Sequence, residues 1–229
     1  MAKTILVGGY GPGISSAVAE KFGAEGFAVA VVARHEERLA AAVKALAAKG
    51  VKAAAFPANL GDTEMVAALV AKVRAALGPI TVLQWNAYGA GAGDLLTADP
   101  PEVRGVFDVA VSGLLAAVQA SLPDLRNEKQ AAILVTNGGL GLFNPSVDAM
   151  AVQWRAMGLA LANAAKHKLV GLLAEKLKGT GIYVGEVMVL GQVKGTVFDD
   201  GKATIEPSAV ANKFWELYRN RSEILASIS

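Results

Sequence analysis

The feature that most constrains this 229-residue chain is an alternation of short, almost continuously apolar runs with helical patterns. The runs fall at Thr4–Val7, Ala28–Ala33, Lys52–Phe56, Ile80–Trp85, Ala132–Thr136, Ile182–Val189 and Ile224–Ile228. Helical patterns occupy Gly13–Glu25, Glu36–Lys49, Thr63–Leu77, Glu102–Leu125, an interrupted stretch at Val147–Leu177, and Ser208–Arg219. A strand that is apolar at consecutive positions is buried on both faces, as in a parallel sheet covered by helices. The alternation therefore predicts a doubly wound α/β fold of Rossmann type: a mainly parallel, seven-stranded sheet with helices on both faces. No repeat, low-complexity stretch or linker interrupts it, so residues 1–229 are expected to form a single domain.

Several function classes find no support. The chain carries 22 basic and 20 acidic residues, a formal charge of +2, without a basic block or aromatic–basic ladder for nucleic acid. Cysteine is absent, which excludes disulfides and thiolate metal sites and suits the cytoplasm. His35 and His167 are far apart without a ligand-like cluster, so no metal site is expected. Although 53% of the residues are hydrophobic, Asp108, Asn137 with its glycines, and Glu186 break the apolar stretches. None supplies the roughly 20 uninterrupted apolar residues of a spanning helix. The first strand begins almost at Met1, which reads as leaving no room for a signal peptide. The expectation is a soluble protein acting on a small molecule.

The chemistry-bearing segment is Thr-Ile-Leu-Val-Gly-Gly-Tyr-Gly-Pro-Gly-Ile-Ser-Ser from Thr4 to Ser16, a strand breaking through glycines into a helix. Gly9, Gly11 and Gly13 lack a Cβ, so the turn, with Tyr10 and Ile14, can close tightly and approach a phosphate. The positive end of the following helix then faces the anion. A bare βα turn with no ligand fits the same residues. The second strand ends in Ala33, followed by Arg34. A carboxylate there would bond a ribose 2′-hydroxyl and repel a 2′-phosphate, whereas a guanidinium suits the phosphate. NADP(H) is therefore expected over NAD(H); the alternative is an arginine that merely caps a surface turn.

On these residues the chain resembles the short-chain dehydrogenase/reductases over essentially its whole length. Gly9 to Ser15 follows the family's Gly-x-x-x-Gly-x-Gly turn, with Ser15 in place of the last glycine. Asn59, followed by Leu60, stands where the family places an Asp for the adenine amino group. Asn86 and Ala87 match the Asn-Ala of the family's Asn-Asn-Ala-Gly. Pro101–Leu125 is similar to the long dimer-forming helix. Leu190–Thr196 resembles the segment that embraces the nicotinamide, bringing Val193 and Thr196 to the cofactor. The resemblance implies an oxidoreductase that assembles as a homodimer or homotetramer.

The family's Ser, Tyr-x-x-x-Lys and Asn are not matched. None of Tyr10, Tyr88, Tyr183 and Tyr218 has a lysine four residues later. A register fixed on the stretch from Ala160 through Leu177 to Ile182 puts Leu159 at the tyrosine, Asn163 at the lysine, Gly138 at the serine and Ala110 at the asparagine. Leucine cannot transfer a proton, whereas Asn163 can still bond a ribose hydroxyl. Arg155, Leu159 and Asn163 are spaced for one helical face, and Tyr88, Asp148 and Arg155 are the candidates for relocated chemistry. The plainer readings are preferred for Tyr88, a packing wall, and His167, a satisfied structural histidine, and Arg155 reads at least as well as a solvent-facing or ion-paired side chain. Two functions stand open: an atypical NADP(H) oxidoreductase acting on a carbonyl-type or otherwise activated substrate, or an inactive NADP(H)-binding sensor or partner subunit. A lyase or epimerase reaction in the same cleft is a third.

Overall fold

A computed structural model describes residues 3–229. Its strands are β1 (Lys3–Gly8), β2 (Phe27–Ala33), β3 (Ala53–Pro57), β4 (Ile80–Trp85), β5 (Ala132–Gly138), β6 (Tyr183–Val189) and β7 (Leu225–Ile228). They form one sheet in the order β3-β2-β1-β4-β5-β6-β7, with every neighbouring pair parallel. The chain therefore crosses between β3 and β4, and the carboxyl ends of β1 and β4 flank the switch point where such sheets bind ligands.

The helices are α1 (Ile14–Ala24), α2 (Glu36–Ala48), α3 (Thr63–Leu77), α4 (Pro100–Phe107), α5 (Gly113–Leu125), α6 (Pro145–Gln153), α7 (Met157–Lys176) and α8 (Pro207–Asn220). One face of the sheet packs on Val18 and Phe22 of α1, Leu39 and Leu46 of α2, and Phe214 of α8. The other packs on Val66 and Val73 of α3, Leu114 and Val118 of α5, and Val170 of α7. Both faces being covered explains why the strands are apolar at successive positions.

Two helical stretches are broken, the second of them as the sequence led one to expect. The stretch from Glu102 to Leu125 is divided by a π-helical turn at Asp108–Ser112. There the backbone of the loop after β3 passes so close that a Cβ on Gly113 would lie 1.9 Å from the Leu60 carbonyl oxygen. The stretch from Val147 to Leu177 breaks at Trp154–Ala156. Arg155 adopts the left-handed conformation (φ 51°), with Ala156 N–H donating to the Ala151 carbonyl at 2.8 Å and Arg155 N–H to Val152 at 3.1 Å. That is a helix-ending arrangement usually built on glycine. Arg155 therefore does not share a helical face with Leu159 and Asn163, contrary to the spacing argument.

The stretch Pro100–Leu125 is long and apolar enough to cross a membrane by length and composition alone. Ala110, Leu114, Ala117, Val118 and Leu125 along it are buried in this fold.

Candidate nucleotide and substrate cleft

Gly9 takes φ 83° and its amide donates to the Val32 carbonyl at 3.0 Å; Tyr10 N–H donates to the same oxygen at 2.8 Å. The turn is thus tied to the end of β2. A Cβ on Gly9 would sit 2.5 Å from the Ala87 amide nitrogen, so glycine is demanded by sterics and by φ. Gly9→Ala should cost about 1–3 kcal/mol of stability, read as a lower Tm, through combined overpacking and strain. Gly13 (φ 88°) precedes α1, whose first turn contains no acidic residue and no side-chain cap. Its positive end is left for an anion.

Ser15, a departure from the family glycine, is fully buried and closes the turn. Its hydroxyl accepts from Gly11 N–H at 2.9 Å and donates to the Gly11 carbonyl at 3.1 Å. The loop after β6 packs on this turn, since a Cβ on Gly13 would meet the Thr196 methyl at 2.6 Å. Val193 is buried and bridges Ile205, and Thr196 Oγ1 donates to the Val193 carbonyl at 2.8 Å.

Around the switch point, Asn86 N–H donates to the Gly8 carbonyl at 2.8 Å and its Nδ2 to Gly9 at 3.4 Å; Ala87 is buried behind the turn. Asn59 Oδ1 accepts from Gly61 N–H at 3.1 Å, so one acceptor lone pair already braces the turn and the other stays free for a donor. Leu60 is buried. Arg34 is exposed at the mouth of the β2–α2 turn and forms no ion pair among the described residues; Arg38 lines the same surface groove. The sequence reading missed Arg38, although a cation four residues after Arg34 was a visible signal. The glycine turn, Arg34, Asn59 and Asn86 follow the carboxyl ends of β1, β2, β3 and β4 respectively. Glycine turn, helix end and guanidinium fit a phosphorylated dinucleotide.

The four positions singled out in the sequence, Ala110, Gly138, Leu159 and Asn163, carry no titratable side chain. Gly138 is packed so closely on Asn163 that a Cβ there would lie 2.8 Å from Asn163 Nδ2, which leaves no room for a serine unless the amide moves. Asn163 is buried, with its amide free of hydrogen bonds among the described residues; Ala110 is sealed within the π turn, and Leu159 is half-buried. Tyr88, Asp148 and Arg155 stand on separate segments and no hydrogen bond joins them. Burial raises the Tyr88 phenol above its ordinary range, the wrong direction for an activated acid. Its ring packs on Phe198, with centroids 5.6 Å apart.

What the structure does assemble is a buried polar cluster under α7. Asn137 Nδ2 donates to Glu186 Oε1 at 2.5 Å and to the Asn163 carbonyl at 3.0 Å, while His167 Nδ1 lies 2.5 Å from Glu186 Oε2. His167 is thus a partnered histidine, as one reading of the sequence held. Lys166, almost fully buried beside them, went unnoticed in the sequence. Burial pulls its ammonium down from 10.5 to about 8, against the opposing attraction of Glu186.

Between pH 8 and 10.5 the unfolded chain holds a proton that the folded chain has released, so stability rises with pH across that window. Below pH 8 the cost of the buried charge, about 3 kcal/mol, is present in full. Lys166→Met should therefore abolish the rise in stability between pH 8 and 10.5, read as a Tm that no longer climbs across that window.

Residues 3–200 match the short chain dehydrogenase family model, and the chain belongs to that family. It is 30% identical over 187 residues to a short chain dehydrogenase of Pseudocercospora fijiensis (strain CIRAD86), covering 79% of this chain and 56% of that protein. It is 29% identical over 170 residues to the 3-oxoacyl-(acyl-carrier-protein) reductase FabG of Staphylococcus aureus (strain Mu50 / ATCC 700699), covering 74% of this chain and 69% of that one. The match thus spans little more than half the length of the fungal relative. Among solved structures, the L-sorbose reductase of Gluconobacter frateurii with NADPH and L-sorbose superposes with a TM-score of 0.86 at 20% identity, covering 100% and 95% of the two chains. A metagenomic short-chain oxidoreductase in complex with NADP gives a TM-score of 0.80 at 24% identity, covering 99% and 95%. These likenesses are of fold, and they agree with the seven-stranded parallel sheet.

Proposed function

We propose that this protein binds NADP(H) at the carboxyl edge of β1, β2 and β4 and catalyses hydride transfer to or from a small carbonyl-type substrate without the family's Ser-Tyr-Lys set. The observation that carries the reading is Arg34, exposed and without an ion-pair partner among the described residues, beside a glycine turn whose helix has no acidic residue in its first turn. Similar structures solved with NADP or NADPH support the cofactor class. When bound, the nicotinamide supplies the hydride. The chain's own residues orient it: Gly9 and Gly13 receive the pyrophosphate, Arg34 the 2′-phosphate, Asn59 the adenine, and Asn163 a ribose hydroxyl. With Leu159 unable to move a proton, water in the cleft completes the reaction. Orientation alone lowers such barriers by several kcal/mol.

A second reading, a nucleotide-binding sensor, is favoured by the tight Gly138–Asn163 packing that closes the serine position. The two separate by following NADPH absorbance with aldehydes, ketones, imines and activated alkenes. Steady oxidation of NADPH supports the oxidoreductase; saturable NADPH binding without turnover on any of them supports the sensor. Leu161 and Leu172, exposed on α7, suit the homodimer or homotetramer that the resemblance implies, and light scattering should return a mass of at least two chains.

A further inference from the structure

The three loops following β4, β5 and β6 carry ten of the fifteen exposed large apolar side chains among the described residues. Leu96 is 92% exposed, Phe143 101% and Val197 79%, with Tyr88, Trp154 and Phe198 also open. A monomeric surface rarely concentrates such groups without a use for them. The loops meet one another. Tyr88 packs on Phe198, joining the first loop to the third. A Cβ on Gly139 would be 2.9 Å from Leu190 Cδ2, joining the second to the third. Gly158 N–H donates to the Ala92 carbonyl at 2.8 Å, tying the first loop to the start of α7 just beyond the second.

Five of the nine charged side chains on these loops are committed to holding their shape, as is Glu102 beside them. Asp94 accepts from Leu96 N–H at 3.0 Å and Glu102 from Ala92 N–H at 2.7 Å. Asp199 accepts from Gly195 and Gly201 N–H, both at 2.9 Å, and Lys194 is paired with Glu206. Polar groups are spent likewise, with Asn144 Oδ1 bonded to Ser146. Asp99, Asp148, Arg155 and Lys202 make no side-chain hydrogen bond or ion pair among the described residues, so exposed apolar side chains outnumber free charges on these loops by ten to four.

We infer that the substrate half of the cleft takes an uncharged carbonyl compound with an extended aliphatic or aromatic body, closed over by Phe143 and Trp154 from one side and Tyr88 and Phe198 from the other. This deepens the oxidoreductase reading and rests on it for the reaction, though not for binding. The carbonyl end lies toward the glycine turn and the apolar body toward the loop tips. Apolar contact makes affinity depend on length, by about threefold to fourfold for each added methylene.

The test is ligand-observed NMR titration of unbranched methyl ketones from butanone to decanone, beside L-sorbose and acetoacetate, on the full chain with and without NADPH. Dissociation constants are expected to fall about threefold to fourfold per methylene until the loops are filled, with L-sorbose and acetoacetate far weaker than octanone. Phe143→Ser and Phe198→Ser, both at exposed positions, should flatten that dependence while leaving the Tm and the NADPH titration unchanged. A flat series, or preference for the sugar or the acid, overturns the inference. So does a Phe143→Ser protein that loses its oligomeric state but keeps the chain-length dependence, since the patch would then be a subunit contact. Failure of NADPH to bind while the ketone series keeps its slope removes the oxidoreductase reading and leaves the apolar site standing.

Discussion

Glu186→Leu is expected to lower stability by about 3–5 kcal/mol, the cost typical of breaking a buried charged network by removing one partner. Glu186 sits in β6, paired with Val135 of β5, and is only 1% exposed. It accepts from Asn137 Nδ2, is bonded to His167, and is the counter-charge to Lys166. Leucine would fit the apolar sheet, yet it would strand one donor of Asn137 and leave the buried ammonium uncompensated. The Asn137 amide also holds the Asn163 carbonyl, so the end of β5 would lose part of its tie to α7 at the point where the loop after β5 begins. Urea unfolding should show an earlier midpoint with an unchanged slope. Glu186→Leu combined with Lys166→Met should recover much of the loss, because the uncompensated charge is then gone. No recovery would mean that the Asn137 and His167 bonds alone matter.

Arg34→Ala is expected to weaken NADPH by about 10–100-fold, the range for losing charge-assisted hydrogen bonds to a phosphate. NADH, which lacks that phosphate, should change by no more than about threefold. The guanidinium is exposed and bonded to no side chain among the described residues, so alanine removes a ligand contact without unpairing any of them. Arg34→Glu should go further and favour NADH, since a carboxylate there bonds the ribose hydroxyl and repels the phosphate. Parallel calorimetric titrations of both coenzymes check this, and an equal loss for both would discard the 2′-phosphate role.

The sheet was legible because seven runs are apolar at successive positions, which only two-sided burial explains; their ends shift by one or two residues. Even the four-residue β7, mostly exposed at the edge, was visible from Ile224 to Ile228. The interruption within Val147–Leu177 was legible but not its place, and the π turn within Glu102–Leu125 was not. Arg155 takes a conformation usually given to glycine, so no residue type announced where the turn falls, and the π turn at Asp108–Ser112 lies beside a close approach of Leu60 to Gly113 that no local pattern encodes.

The glycine turn and Arg34 could be read because their roles are local to one βα unit. The cluster of Lys166, Glu186 and Asn137 was hidden because it joins three elements. Glu186 was noticed only as an interruption of an apolar run. A charge inside a strand buried on both faces must nonetheless find partners, and that was the available signal.

The most direct measurement of the central claim is a titration of the wild-type protein with NADPH, followed by coenzyme fluorescence and calorimetry. Saturable binding of one NADPH per chain, tighter than NADH by at least about tenfold, is the predicted result. No saturation at coenzyme concentrations well above the protein, or equal affinity for the two coenzymes, would contradict it.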